Sequence, residues 1–367
     1  MKIAIMGAGL SGLACGITLE KNGIEDFTIF ESRNEVDDRF VNGEIFLSAL
    51  NAPIEDSISY LSEEFGIYLQ PVGDIKKLII RSENEMTTIT GTLGFNVVRG
   101  RRGDSISKQM ESQLHSKIVF NSKHTYEDLK KGYTHIILAT GDASYSEKMW
   151  NYNRDFTVSL KGGIVKGSFD RYATMAWLNN NFAPKGYSYL IPLSETEANI
   201  VIAYPDLEEN TYLDFDMLWN RFFEAVKIDL KEKMELVDSF EITKYIIGHC
   251  KEARIGNTFF TGNCYGAIMP FLGFGQFSSI MTGIYSAHDL CGKGKYDKLI
   301  RTFDKSYENS LILRRAMEKM DNNDFDFLVK HLNGHIGNIV LDFNNINFLN
   351  IISNILKSVG LFNSRES

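Results

Sequence analysis

The run Gly7-Ala8-Gly9-Leu10-Ser11-Gly12 constrains the fold of this chain more than any other feature. It follows a short apolar run, Lys2 to Met6. It precedes a segment, Leu13 to Asn22, in which Leu13, Ile17 and Leu19 are available for burial on a helix, and Gly23 stands where that helix would end. A second apolar run, Phe27 to Phe30, stops at Glu31, 22 residues after Gly9. Strand, glycine turn, helix, strand and acid in this order form the fingerprint of a dinucleotide-binding βαβ unit. Gly7 permits the tight turn, Gly9 lets the backbone approach a pyrophosphate, and Gly12 lets the helix pack closely on the strand. The helix N-terminus offers its unpaired N–H groups and positive dipole end to phosphate. Cofactor contacts are therefore expected from Gly7, Gly9, Leu10, Ser11 and Gly12, and from Glu31 on a ribose hydroxyl with Ser32 and Arg33 beside it. NAD and FAD both use this turn, so it does not choose between them.

The chain has 367 residues, enough for two domains, and its net charge of −8 argues against general nucleic-acid binding, which needs basic surface. The four cysteines, Cys15, Cys250, Cys264 and Cys291, show no Cys-x-x-Cys spacing, so no zinc ribbon or redox dithiol is expected and no metal site is assigned. Few, scattered thiols in a chain of this size fit a reducing compartment, and a cytoplasmic location is expected. Met1-Lys2 runs straight into a strand pattern, without a secretory segment. No run of 18 apolar residues suggests a transmembrane helix.

Two later stretches choose the cofactor. Thr134 to Ala139 is a buried-strand pattern that exits through Thr140-Gly141-Asp142; it resembles the Ala-Thr-Gly strand end that passes near the ADP half in flavoproteins, which implies contacts from Ala139, Thr140 and Gly141. Asn257 to Thr261 is a short strand run followed by Gly262-Asn263-Cys264-Tyr265-Gly266, then Pro270-Phe271-Leu272-Gly273-Phe274-Gly275, then a helix from about Gln276 to Leu290. This resembles the flavoprotein stretch Gly-Asp-Ala-Ala-Gly, Pro-x-x-Gly-x-Gly, helix. There the acid bonds the ribityl chain and the glycine turn faces the pyrimidine end of the flavin. The likeness implies FAD, held here by Gly262, Asn263, Gly273, Phe274 and Gly275. Asn263 replaces the usual Asp; it can hydrogen-bond a ribityl hydroxyl but carries no charge.

Four segments in the same order resemble the geranylgeranyl reductase family of hydroxylase-like flavoproteins. They are the fingerprint with Glu31; Val98-Arg99-Gly100-Arg101-Arg102-Gly103-Asp104; Ala183-Pro184-Lys185-Gly186-Tyr187-Ser188-Tyr189-Leu190-Ile191-Pro192; and Gly262 to Gly275. The resemblance implies an α/β fold. A glutathione-reductase-type, Rossmann-like FAD-binding domain (1–74, 95–155 and 250–295) would carry an inserted antiparallel-sheet substrate domain (75–94 and 156–249) and C-terminal helices (296–367). It also implies a flavin contact from Arg102 and a substrate wall that includes Tyr187, Tyr189 and Pro270. Within 156–249, strands are expected at Thr157–Leu160, Tyr187–Pro192, Asn199–Ala203 and Ser239–Tyr245, with a helix around Asp214–Val226. Asn42 stands where the family often carries Cys, and Glu44 two residues on is either a polar group near the flavin or a surface acid.

The resemblance implies an FAD-dependent oxidoreductase that reduces a carbon–carbon double bond of an apolar, isoprenoid-like or enoate substrate, with electrons from a protein donor such as a ferredoxin or from NAD(P)H. No catalytic acid stands out. The alternatives are a flavin-dependent monooxygenase and a non-catalytic flavin-binding protein. Against the first, Thr140 takes the place of the acid in that branch's Asp-Gly motif, and there is no second G-x-G-x-x-G. After a helical segment from Tyr296 to Met320, broken at Asp321-Asn322-Asn323-Asp324, a further helix is expected at Asn345 to Leu361. Its apolar positions suit core packing or a dimer interface, or peripheral contact with a membrane.

Overall fold

The computed structural model describes residues 1–50, 54–210 and 212–336. The chain opens with β1 (Ile3–Met6), α1 (Leu10–Lys21) and β2 (Phe27–Phe30). There follow β3 (Asn42–Leu47), α2 (Ser57–Phe65), β4 (Gly73–Arg81), β5 (Met86–Arg99), α3 (Ile106–Glu111), β6 (Ile118–Val119), α4 (Tyr126–Gly132), β7 (His135–Leu138) and α5 (Ser144–Lys148). The middle of the chain holds β8 (Tyr152–Lys166), β9 (Ala173–Trp177), β10 (Tyr187–Pro192), β11 (Glu197–Pro205), α6 (Phe215–Leu230) and β12 (Glu235–Cys250). Then come β13 (Arg254–Ile255), β14 (Thr258–Phe260), α7 (Gln276–Leu290), α8 (Tyr296–Leu299), α9 (Arg301–Met317) and α10 (Asn322–Ile336).

These elements build two sheets. The first has the order β13-β14-β7-β1-β2-β6 and is parallel except at β13–β14. Its central strand β1 is buried at every position, as a parallel strand covered on both faces requires. The second has the order β12-β8-β11-β10-β9-β4-β5-β3 and is antiparallel except at β4–β9. α6 packs Trp219 and Phe222 into one core with Ile200 and Ile202, while α10 packs Phe325, Leu328 and Val329 into another with Ile80 and Ile191. The fold is the expected α/β layer with a second sheet and C-terminal helices.

β2, β10 and α7 fall at their expected bounds. The strands expected at 157–160, 199–203 and 239–245 are the centres of longer ones, because β8 pairs with β12 from Tyr152 to Lys166 and with β11 from Val158 to Lys166. The sheets do not follow the expected division at 74/75 and 94/95. β3 belongs to the second sheet, where Asn42 pairs with Arg99, and β5 runs unbroken across 94/95. The expected 296–320 helix is two, α8 and α9, meeting at Ile300. The helix expected at Asn345 to Leu361 lies outside the described residues. Among those residues no helix is long and apolar enough to cross a membrane.

Candidate functional site

A cleft of about 290 Å3 separates the glycine turns of the first sheet from the strands of the second. The turn between β1 and α1 enters it with Gly9, Leu10 and Ser11. No side chain caps α1, and a Cβ placed on Gly9 meets nothing within 4 Å. Its neighbours are different: a Cβ on Gly7 would lie 2.2 Å from the Ala139 carbonyl oxygen, and one on Gly12 2.0 Å from that of Gly7. Gly7 and Gly12 therefore hold the turn together, while Gly9 keeps open the space where a phosphate would meet free N–H groups. The start of α7 reaches the same cleft through Gly273 and Gly275, again without a side-chain cap. Two uncapped helix N-termini converging on one cleft fit the pyrophosphate and the electron-rich pyrimidine edge of FAD.

Ala139, Gly141, Gly262, Asn263, Tyr187, Tyr189 and Pro270 also line the cleft. Thr140 is tied to Cys264, hydroxyl to sulfur, at 3.1 Å. Glu31 lies at the end of β2 and accepts the N–H groups of Ala8 (2.8 Å) and Arg33 (3.0 Å) and the Ser32 hydroxyl (3.3 Å). Arg33 itself donates to the Asp38 carbonyl. Glu31, Ser32 and Arg33 thus sit beside the fingerprint turn rather than in the cleft wall.

Two expected contacts lie elsewhere. Arg102 is ion-paired with Asp104 (2.8 Å) and Glu197 (3.3 Å) outside the cleft. Of the three arginines in this segment it is Arg99 that lines the cleft: β5 ends on it, and Gly100, at φ +99°, turns the chain so that Arg101 and Arg102 face outward. Phe274 faces an apolar chamber beside the cleft, while its carbonyl accepts the Met269 N–H at 2.7 Å.

Charged side chains fill the seam between the sheets, among them Glu44, which lines the cleft, and Asp37 and Arg39, which the sequence did not single out. Arg99 donates to Asp37 through Nε (3.1 Å) and Nη2 (3.3 Å), and the Gly100 N–H adds a third bond at 2.8 Å. Burial alone would raise the Asp37 carboxyl, but Arg99, Arg39 and these bonds hold it far below the carboxylate range. Arg39 donates to Asn42 at 2.9 Å, and Asn42 donates to Glu44 at 3.0 Å. Burial and the neighbouring Arg99 lower the Arg39 guanidinium. Glu44 Oε2 lies 3.7 Å from Arg99 and has no hydrogen-bond partner among the described residues. Across the cleft, Tyr245 donates to the Gly141 carbonyl at 2.9 Å, and Asn263 donates to Tyr245 at 2.7 Å.

The apolar chamber, about 140 Å3, lies behind the cleft and is lined by Ile80, Met175, Leu178, Ile191, Leu328 and Leu332. Tyr187 and Tyr189, with ring centroids 5.8 Å apart, form part of the wall of both spaces, and Glu44 also borders both. Tyr187 donates to the Leu272 carbonyl. Burial pushes both phenols above their ordinary value, so they keep their protons at neutral pH. Arg314, on α9, reaches the cleft from the C-terminal segment. Its signal in the sequence is a charge on a buried stripe, Tyr307, Ser310, Arg314 and Met317, at helical spacing.

No family model matches the chain. A tryptophan 2-monooxygenase from Allorhizobium ampelinum is 41% identical over 75 residues, which span 18% of this chain and 10% of that protein. This chain therefore matches about a tenth of the length of that curated relative. Solved structures are similar over much more of the chain. A geranylgeranyl bacteriochlorophyll reductase-like protein from Thermoplasma acidophilum superposes with a TM-score of 0.70, at 14% identity, over 98% of this chain and 95% of that one. A flavin-dependent halogenase gives 0.66 at 15% identity over 99% and 70%. An aklavinone-11 hydroxylase, in complex with FAD and aklavinone, gives 0.57 at 14% identity over 86% and 68%. Reductase-like, halogenating and hydroxylating proteins share this architecture, and at these identities the likeness establishes the fold: the chain carries the FAD-binding flavoprotein fold.

Proposed function

We propose that this protein is an FAD-dependent reductase of a carbon–carbon double bond in an apolar substrate. The observation that carries this reading is the apolar chamber that adjoins the cofactor cleft across the Tyr187–Tyr189 wall. When bound, FAD supplies hydride from its reduced ring. The chain supplies position. The turn at Gly9 to Ser11 and the start of α7 hold the phosphates and the flavin edge, and Asn263 presents an amide to the ribityl chain. The aliphatic walls of the chamber hold the substrate and exclude water. Glu44, the acid bordering both spaces, is placed to pass a proton to the substrate carbon.

The test is anaerobic. The purified protein is loaded with FAD, reduced with dithionite and mixed with an apolar enoate. The reading expects the flavin colour to return and the product to carry two additional hydrogens. Re-oxidation only by oxygen, with an oxygen atom in the product, would replace it with the monooxygenase reading that the 75-residue match favours.

A further inference from the structure

One wall of the cleft carries a charge that hydride and proton transfer leave unused. Arg314 is 3% exposed, yet it lines the cleft near Tyr187. Its Nη2 donates to the Lys185 carbonyl, whereas its Nε has no hydrogen-bond partner among the described residues. Glu318 lies 3.4 Å from that Nε, but its carboxylate accepts hydrogen bonds from Arg315, at 3.0 and 3.2 Å. One carboxylate is therefore shared by two guanidinium groups. The seam carboxylates offer no relief, because Asp37 and Glu44 lie against Arg39 and Arg99. The rest of the cleft wall is largely aliphatic and aromatic, with Phe156, Val158 and Leu160 from β8 and Ala203 from β11. Burial pulls the guanidinium down to about 10, still charged at neutral pH. An incompletely partnered buried cation is costly, and a ligand anion would complete it.

We infer that the substrate is an apolar carboxylic acid whose carboxylate is received by Arg314, an inference that rests on the reductase reading for what happens at the other end of the molecule. A carboxylate brings one charge and a planar pair of oxygens, which match a single guanidinium. A diphosphate would bring several charges to a single guanidinium that already shares one carboxylate.

The FAD-loaded protein and its Arg314→Met variant are titrated calorimetrically with farnesoic acid, methyl farnesoate and farnesyl diphosphate, with thermal melts to confirm folding. The wild type is expected to bind the acid at least about tenfold more tightly than the ester, and the variant to lose that preference. Equal binding of acid and ester by the wild type overturns the inference. So does binding of none of the three, or tighter binding of the diphosphate than of the acid. The acid–ester comparison in the wild type decides the matter even where the variant fails to fold. A preference for the acid without anaerobic re-oxidation of the reduced flavin sinks the reductase reading and leaves the assignment of Arg314; turnover without the preference does the reverse.

Discussion

The two sides of the cleft are made in different ways. On the side of the six-stranded sheet, contact surface comes from backbone: Gly9, Gly141, Gly262 and the free N–H groups at the starts of α1 and α7. On the side of the eight-stranded sheet it comes from side chains that meet across long sequence separations, such as Arg99 with Asp37. Backbone surfaces need specific residues at fixed local spacing, and a Cβ there stands between the backbone and a ligand. Side-chain surfaces need only complementary volume and charge, and many sequences supply that. The first kind therefore reports which cofactor class fits, and the second which molecule is transformed.

The largest effects expected should separate holding the turn from holding the cofactor. Gly12→Val places side-chain atoms against the Gly7 carbonyl and should cost more than about 3 kcal/mol, enough to deplete folded protein. Gly9→Val meets open space and should fold with a near-normal melting temperature. It should nevertheless lose flavin affinity by about a hundredfold or more, roughly 2.8 kcal/mol, read by flavin fluorescence titration. A yellow, fully loaded Gly9→Val protein would remove the pyrophosphate from this turn.

Next is the seam. Asp37 is held ionised by Arg99 and Arg39, with its folded value below the unfolded one near 3.9. Its stabilisation is therefore complete above about pH 4–5 and is lost as pH falls through the folded value. Asp37→Asn leaves two half-buried arginines short of a partner and should cost about 3 kcal/mol at pH 7. The difference from wild type should shrink in denaturant melts run at pH 3. A cost that stays constant across this range would show that packing, not charge, is what Asp37 provides.

The same contrast explains what was legible in the sequence. The fingerprint, β2, β10 and α7 were readable because glycine spacing and apolar runs encode them locally. Asn263 was readable as a position, but its engagement with Tyr245 and Gly141 was not, since those partners lie 18 and 122 residues away. Arg102 was expected in the cleft and Arg99 found there, because a motif gives the neighbourhood while the register of β5 and the Gly100 turn decide which arginine faces inward. The placement of β3 in the second sheet has no local signal at all, since it depends on pairing with β5 some fifty residues later.

A smaller effect should confine itself to the chamber. Leu328→Trp adds bulk from α10 into space bounded by Ile80 and Ile191. It should lower affinity for an apolar ligand by about tenfold while leaving flavin binding unchanged, at a stability cost of about 1–3 kcal/mol. Calorimetry with and without FAD checks both halves. Loss of flavin in this variant would mean that the chamber and the cofactor cleft are one mechanical unit.

The smallest expected effect lies where the two kinds of surface touch. Tyr245, from the eight-stranded sheet, donates to the Gly141 carbonyl and accepts from Asn263, which also donates to Gly141 at 3.1 Å. Asn263 thus enters the cleft already oriented by a phenol from the other sheet. Tyr245→Phe removes that hydroxyl and keeps the ring, so Asn263 retains the Gly141 bond but loses its second partner. The expected change is about 1 kcal/mol, a several-fold weakening of flavin binding with little change in melting temperature of the flavin-free protein. If affinity is unaltered and the flavin-free protein melts lower instead, the phenol braces the sheets and Asn263 needs no help from the side-chain half.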